Sequence, residues 1–238
     1  MKTGPWNLVF FIGFIVFCGI RGVFKQRTKD NEVAVRYLDT LEKVLLVIVI
    51  PGTLGLPLLY LFTPWLAFAN YNIPEVLHWC GAVLMAGALC LFWRSHVDLG
   101  QNWSQTLELR KGHQLIQHGI YRSIRHPMYA ALWLWCLAQG LLLENWLAGW
   151  YALLAFALMY FIRTPREEKM MFEAFGQEYT AITWNKPAGS FPAPPMENRG
   201  SSTTFDACER WSPLILFRQR QRDDYWRPFD HLQHERGG

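Results

Sequence analysis

Apolar residues along this chain are concentrated in five segments, which polar or proline-containing connections separate. A helix needs about 20 mostly apolar residues to cross a hydrocarbon core of roughly 30 Å, and each segment comes close to that length. The segments run approximately over residues 6–23, 41–62, 76–93, 128–143 and 146–162. This pattern predicts an all-α, polytopic membrane protein with about five transmembrane helices.

Tryptophans lie near the ends of these segments, where membrane proteins carry interfacial aromatic belts. They are Trp6, Trp65, Trp79, Trp93 and Trp146. The first segment follows Lys2 and therefore also has features of a secretory signal peptide. However, no small-x-small cleavage site follows it, whereas a basic flank begins at Arg21. These features favour an uncleaved first helix.

Basic residues alternate between the connections. Six Lys or Arg residues occur in 21–43 and five in 94–127, whereas 63–75 and 144–145 contain none. Because cytoplasmic loops of membrane proteins are enriched in Lys and Arg, we expect the N-terminus outside and the C-terminus in the cytosol. The polar stretches before the fourth helix and after the fifth then face the same side. The compact chain favours a bacterial inner membrane over the endoplasmic reticulum.

The second segment contains Pro51, Gly52, Gly55 and Pro57. Such helix breakers are tolerated in a membrane when neighbouring groups or a cavity satisfy the freed backbone groups. The cluster indicates either a kink that serves packing or a space widened for a lipid substrate.

The character of the chain changes at about residue 187, where prolines precede a stretch rich in Ser, Thr, Arg and Asp. We expect residues 1–186 to form an integral membrane domain, with its core motifs in 76–185. Residues 187–238 are predicted to be a flexible polar tail.

Composition excludes several classes of protein. The net charge of +4 is modest and no basic run interleaves with aromatics, which argues against a nucleic-acid partner. The five cysteines form no CxxC pair, so we interpret them as buried small hydrophobic residues. No metal site is expected, and the lack of an HExxH motif disfavours a metal hydrolase. Apparently uncharged helix interiors disfavour a transporter.

Four short motifs follow one another in the second half of the chain. Gly119-x-Tyr121 precedes Arg125-His126-Pro127-Met128-Tyr129, and a hydrophobic hairpin leads to Glu167-Glu168 and then to Phe175-Gly176-x-x-Tyr179. The ordered set resembles the isoprenylcysteine carboxyl methyltransferase family and its relatives, which include phospholipid N-methyltransferases. The resemblance covers roughly residues 76–185.

This resemblance implies a cytosolic S-adenosylmethionine pocket between the last two helices and their flanking segments. The matching cofactor contacts are His113, Gln114, Leu115, Ile116, Tyr121, His126, Pro127, Met128, Tyr129 and Glu167. Arg163 matches a family position near the substrate, and we take Arg163 and Glu168 as the candidate catalytic residues.

The residue types suit that cofactor. A carboxylate of the Glu167-Glu168 pair can accept a charge-assisted hydrogen bond from its ammonium group. Tyrosine rings can face a sulfonium, and backbone N–H groups at a helix start suit a carboxylate. Arg163 can hold the carboxylate of an acceptor as a bidentate partner.

Each motif also has a purely structural interpretation. Pro127 suits the first position of a helix, which would leave His126 as an interfacial polar residue. The sequence from Thr164 to Glu167 reads as a capping box with proline at the first helical position, and Pro165 disfavours a continuous helix there. The occurrence of all motifs in order on one membrane side favours the cofactor site.

The leading functional prediction is O-methylation of a lipophilic carboxylate of the isoprenylcysteine type, in a prenylated protein or a small membrane-resident molecule. N- or S-methylation of a phospholipid or small thiol would use the same cofactor site. A sterol-reductase-like, NADPH-dependent oxidoreductase is an alternative of another class, although such proteins carry more helices. A non-enzymatic scaffold is a third alternative, and the sequence leaves the oligomeric state open.

Overall fold

A computed structural model describes residues 4–28, 33–36, 40–100, 108–110, 115–176 and 179 of the chain, with 33–36 and 108–110 described as backbone only. All of these residues lie in one compact unit, Met1–Ser190. The predicted tail, 187–238, lies outside the described residues.

The described part is dominated by helices. They are α1 (Pro5–Arg27), α2 (Thr40–Ile50), α3 (Leu56–Phe62), α4 (Glu75–Leu99), α5 (Pro127–Leu143) and α6 (Tyr151–Phe175). Four helical spans are long and apolar enough to cross a membrane, namely Pro5–Arg27, Thr40–Phe62, Glu75–Leu99 and Trp146–Phe175. The shorter α5 is also apolar. The predicted helical, polytopic membrane fold is confirmed.

A short two-stranded sheet adds to this helical fold. Strand β1 (Val33–Arg36) pairs antiparallel with β2 (Glu108–Arg110), and the register shifts between Val33 and Val35. Both strands come from the basic connections that were expected on one membrane side. Their pairing was not predicted, because neither segment has a run of alternating residues long enough to indicate a strand.

The outer surface of the helices is apolar, as a lipid-facing surface must be. Tryptophans near the helix ends are exposed there, with Trp65 at 73% and Trp146 at 61%. The four cysteines in the described residues are free: Cys136 is buried, whereas Cys18, Cys80 and Cys90 are exposed. The expectation of buried cysteines is therefore wrong for three of them, because apolar residues of a membrane protein also face outward.

The breakers of the second segment form a π-helical turn, Pro51–Gly55, between α2 and α3. Gly52 lies so close to α6 that a Cβ atom would approach Ala152 Cα to 3.0 Å. The buried Gln139 side chain donates a hydrogen bond of 2.9 Å to the Gly52 carbonyl. A neighbour thus satisfies the freed backbone group, which supports the packing interpretation of the kink.

The turn between α5 and α6 is fixed by one buried side chain. Asn145 Oδ1 accepts hydrogen bonds from the backbone N–H groups of Leu147 and Ala148, at 3.1 and 2.9 Å. Its Nδ2 group donates to the Leu66 carbonyl at 2.6 Å. Asn145 therefore caps the last transmembrane span and ties it to the connection that follows α3.

Helix α6 continues through Pro165 to Phe175. The predicted capping box at Thr164–Glu167 and the predicted helix break are therefore wrong. A proline inside a helix removes one backbone hydrogen bond, but membrane helices tolerate this loss when neighbouring groups compensate. As a result, Arg163 and Glu167 lie one turn apart on a single helix.

Candidate functional site

The start of α5 meets the acidic pair of α6. Tyr129 donates a hydrogen bond of 2.5 Å from its hydroxyl group to Glu167 Oε2. His126 Nε2 lies 3.1 Å from Glu168 Oε1, and Arg125 Nη1 lies 3.8 Å from the same oxygen. Two sequence motifs that 37 residues of hairpin separate therefore form one polar cluster.

Local sequence explains how these side chains reach one another. Pro127 begins α5 at its first helical position, where the missing N–H costs nothing. His126 and Tyr129 are three residues apart and therefore project from the same side of the helix start. Their rings stack with centroids 5.6 Å apart. Proline as helix start and histidine as site residue are thus compatible.

A turn held by α4 brings Tyr121 to the same cluster. The 3-10 turn Gly119–Arg122 is anchored by the buried Asp98, whose Oδ2 accepts the Ile120 backbone N–H at 2.7 Å. Gly119 has φ +59°, and a Cβ atom there would lie 2.0 Å from Asp98 Oδ2. Desolvation raises the pKa of Tyr121, and the negative charges of Glu167 and Asp98 raise it further. Tyr121 is therefore a neutral hydroxyl that senses the Glu167 charge.

The last motif also contributes to the cluster. Burial raises the pKa of Tyr179, the negative charges of Glu168 and Glu167 raise it further, and the positive charge of Arg125 opposes them. These interactions place the Tyr179 hydroxyl within electrostatic range of the acidic pair. All four motifs therefore converge at one end of α5 and α6.

Other predicted cofactor contacts do not join the cluster. The Met128 side chain packs with Ile20, Phe24 and Phe92, against α1 and α4. Leu115 and Ile116 are half-buried, and the structure brings neither into a polar contact with the cluster. His113 and Gln114 lie outside the described residues.

Arg163 has a partner that sequence reasoning missed. Its Nη1 lies 3.0 Å from Oε1 of Glu42 on α2, and the two side chains are 11% and 1% exposed. The expectation of uncharged helix interiors is therefore wrong. Glu42 falls at the start of an apolar segment, where it looks like an ordinary acid of a first helical turn. Its burial opposite Arg163 has no local sequence signal.

A small cavity adjoins the cluster between α5 and α6. Its volume is about 170 Å³, below the range of about 300–1,000 Å³ for typical ligand pockets. Its lining comprises Ile124, His126, Tyr129, Ala130, Trp133, Tyr160 and Phe161. Tyr160 packs edge-on against both Tyr129 and Trp133, with ring centroids 5.6 Å apart in each pair. The cavity therefore has an aromatic wall and a polar end at His126.

The geometry can be set beside known proteins. Residues 79–173 match the family model described as the isoprenylcysteine carboxyl methyltransferase (ICMT) family. The chain is 24% identical over 202 residues to protein-S-isoprenylcysteine O-methyltransferase of Mus musculus, covering 75% of this chain and 71% of the relative. It is 31% identical over 109 residues to the enzyme of that name in Schizosaccharomyces pombe, covering 43% of this chain and 46% of the relative.

A solved structure extends the comparison. The eukaryotic intramembrane Ras methyltransferase ICMT aligns with a TM-score of 0.49 and 20% identity, covering 79% of this chain and 68% of that one. The chain thus spans less than half the length of the fission yeast relative, although it spans more of the mouse one. The resemblance seen in the motifs is confirmed: over residues 79–173, this chain is related to the isoprenylcysteine carboxyl methyltransferase family.

Proposed function

We propose that this chain is an S-adenosylmethionine-dependent methyltransferase that acts on a lipophilic, membrane-resident carboxylate of the isoprenylcysteine type. The observation that carries the proposal is the contact of Tyr129 and His126 with Glu167 and Glu168. This contact unites the motifs of the family-matching segment in one polar cluster beside an aromatic cavity. The names of the related proteins support both the reaction and the class of acceptor.

The residues present fit the cofactor. When bound, S-adenosylmethionine supplies a methyl group on a positively charged sulfur. The carboxylates of Glu167 and Glu168 suit its ammonium group. The α5 start offers backbone N–H groups that a helix does not use internally, and Arg125 beside them adds a cation for its carboxylate. The rings of Tyr121 and Tyr129 suit the sulfonium charge.

The acceptor places few chemical demands on the protein. A carboxylate is already a nucleophile at neutral pH, so no base has to remove a proton from it. Catalysis then rests on holding the carboxylate oxygen in line with the methyl group and away from water. Such a task suits rigid membrane helices, since apolar surroundings exclude water from the reacting groups.

We further propose that the cluster faces the cytosol and that the N-terminus lies outside, in a bacterial inner membrane. The ends of α1 and α4 and the start of α5 carry the basic residues Lys25, Arg27, Arg94, Arg122 and Arg125. The positive-inside rule places this end in the cytosol, where S-adenosylmethionine is made.

Binding of labelled S-adenosylmethionine to the purified, membrane-reconstituted protein tests the cofactor. We expect Glu167→Gln and His126→Gln each to weaken binding at least tenfold, because charged hydrogen bonds contribute about 1.5–3 kcal/mol. Glu173→Gln is the matched control, since Glu173 lies on the same helix and pairs only locally with Lys169. Unchanged affinity in both site variants would refute the assignment.

Methyl transfer to N-acetyl-S-farnesylcysteine tests the acceptor. Its methyl ester is the matched control, because it keeps the lipid but has no carboxylate to methylate. Transfer to a phospholipid amine or a small thiol instead would replace the carboxylate proposal while keeping the cofactor. Oxidation of NADPH without S-adenosylmethionine binding would favour the reductase alternative.

A further inference from the structure

Two arginines and one glutamate meet between α1, α2 and α6. Arg163 of α6 pairs with Glu42 of α2 at 3.0 Å, and Glu42 is almost completely buried. Arg21 of α1 is half-buried and lies within electrostatic range of Arg163, which repels it. Among the described residues, Arg21 forms no ion pair of its own.

The charges in this arginine cluster do not balance. Glu42 compensates one guanidinium, so the cluster keeps one positive charge in surroundings that are otherwise apolar. An uncompensated charge in a low-dielectric interior is costly, and proteins retain such charges mainly where a ligand completes them. The surplus charge therefore indicates a monoanionic ligand.

The arginine cluster adjoins the proposed cofactor site. Arg163 interacts electrostatically with Tyr129 and Glu167, and Glu42 interacts with Tyr129. The Glu167 carboxylate itself is directed to the Tyr129 hydroxyl, so it does not serve as the counter-ion of Arg21. A group bound at the two arginines would lie next to the place proposed for the cofactor.

We propose that Arg21 and Arg163 together bind the carboxylate of the methyl acceptor, with Glu42 as the residue that positions Arg163. The inference rests on the proposed function and deepens it, because it names the groups that recognise the acceptor. Guanidinium groups match a carboxylate with parallel N–H donors. Arg21 lies outside the segment that matches the family, and its sequence position indicates only a basic flank.

Methylation changes the charge at this place. The bond formed joins the carboxylate oxygen to the methyl carbon, and the bond broken joins that carbon to the cofactor sulfur, which keeps the electron pair. The anionic acceptor becomes a neutral ester, and the sulfonium becomes a neutral thioether. The arginine cluster thereby loses its ligand's charge, which favours release of the ester over the unreacted acid.

Equilibrium binding in lipid nanodiscs tests the inference without turnover. The probes are N-acetyl-S-farnesylcysteine and its methyl ester. We expect the wild type to bind the acid at least tenfold more tightly than the ester, since hydrogen bonds to charged groups are the strong ones. Arg21→Gln should abolish most of this preference by weakening acid binding alone, and Arg21→Lys should retain part of it.

Lys25→Gln provides the matched control, because Lys25 is an exposed cation one turn further along α1. It should leave both affinities unchanged. Equal binding of acid and ester by the wild type would overturn the inference, as would an unchanged preference in Arg21→Gln. Labelled S-adenosylmethionine binding is measured in parallel. Its failure would remove the methyltransferase proposal, whereas loss of the acid preference with cofactor binding intact would remove only this one.

Discussion

Tyr129 has a different role from the one its sequence position indicates. The motif pattern favours a ring that faces a cation, whereas the structure shows its hydroxyl donating to Glu167. This hydrogen bond fixes one carboxylate oxygen of Glu167, so that the orientation of the acid is set before any ligand arrives. Preorganised groups of this kind reduce the free energy that binding must spend on ordering.

Tyr129→Phe should therefore weaken S-adenosylmethionine binding about tenfold, because one charge-assisted hydrogen bond is lost while the ring remains. Isothermal titration of the reconstituted protein measures the affinity. Tyr151→Phe is the control, since its hydroxyl donates to the Ile48 carbonyl at 3.2 Å, away from the cluster. An affinity equal to that of the wild type would show that Tyr129 does not orient Glu167.

At the level of elements, the end of α4 organises the turn before α5. Asp98 accepts hydrogen bonds from the Ile120 backbone at 2.7 Å and from Arg94 Nε at 3.1 Å. The close approach of Gly119 to this carboxylate leaves no space for a side chain. The turn that carries Tyr121 is thus attached to a long transmembrane helix rather than to a mobile loop.

Asp98→Ala should release this turn, raising the exchange rate of the Ile120 amide and weakening cofactor binding. The protein should also lose about 1–3 kcal/mol of stability, because a buried backbone donor loses its acceptor. Asp98→Asn keeps an acceptor oxygen and should lie between the two. Hydrogen exchange with mass spectrometry gives the readout, and Glu75→Ala at the exposed start of α4 is the control. Protection unchanged in Asp98→Ala would contradict the anchoring role.

Sequence reasoning located the elements better than it located their interruptions. Hydropathy identified all five apolar segments, because the bilayer imposes their length and composition. It placed a helix break at Pro165, where α6 continues. The break is absent because tertiary neighbours decide whether a proline ends a membrane helix, and local sequence does not record them.

At the scale of the whole molecule, charge pairs connect helices that are distant in sequence. Glu42 and Arg163 join α2 to α6 inside an apolar bundle. Motif order predicted the cluster at Tyr129 and Glu167, since the family resemblance carries that information. It could not predict the Glu42 pairing or the neighbourhood of Arg21, because the α1–α2 region matches the family only in being hydrophobic.

Glu42→Gln should destabilise the membrane domain by about 3–5 kcal/mol, because it leaves a buried guanidinium without its counter-charge. The double variant Glu42→Leu with Arg163→Met should recover most of this loss, since apolar replacement of a buried pair is often neutral. Thermal unfolding in detergent measures both. If the single variant melts like the wild type and like the control Glu75→Gln, the pair makes no contribution to stability.

The unbroken course of α6 has a mechanical consequence. Arg163 and Glu167 are four residues apart on one helix, so the rise between them is about 6 Å. One residue faces the proposed acceptor and the other the proposed methyl donor, and a stiff rod joins them. The separation of the two reactants would then be measured out by helical pitch, and it would persist while surrounding helices move apart to admit a lipid.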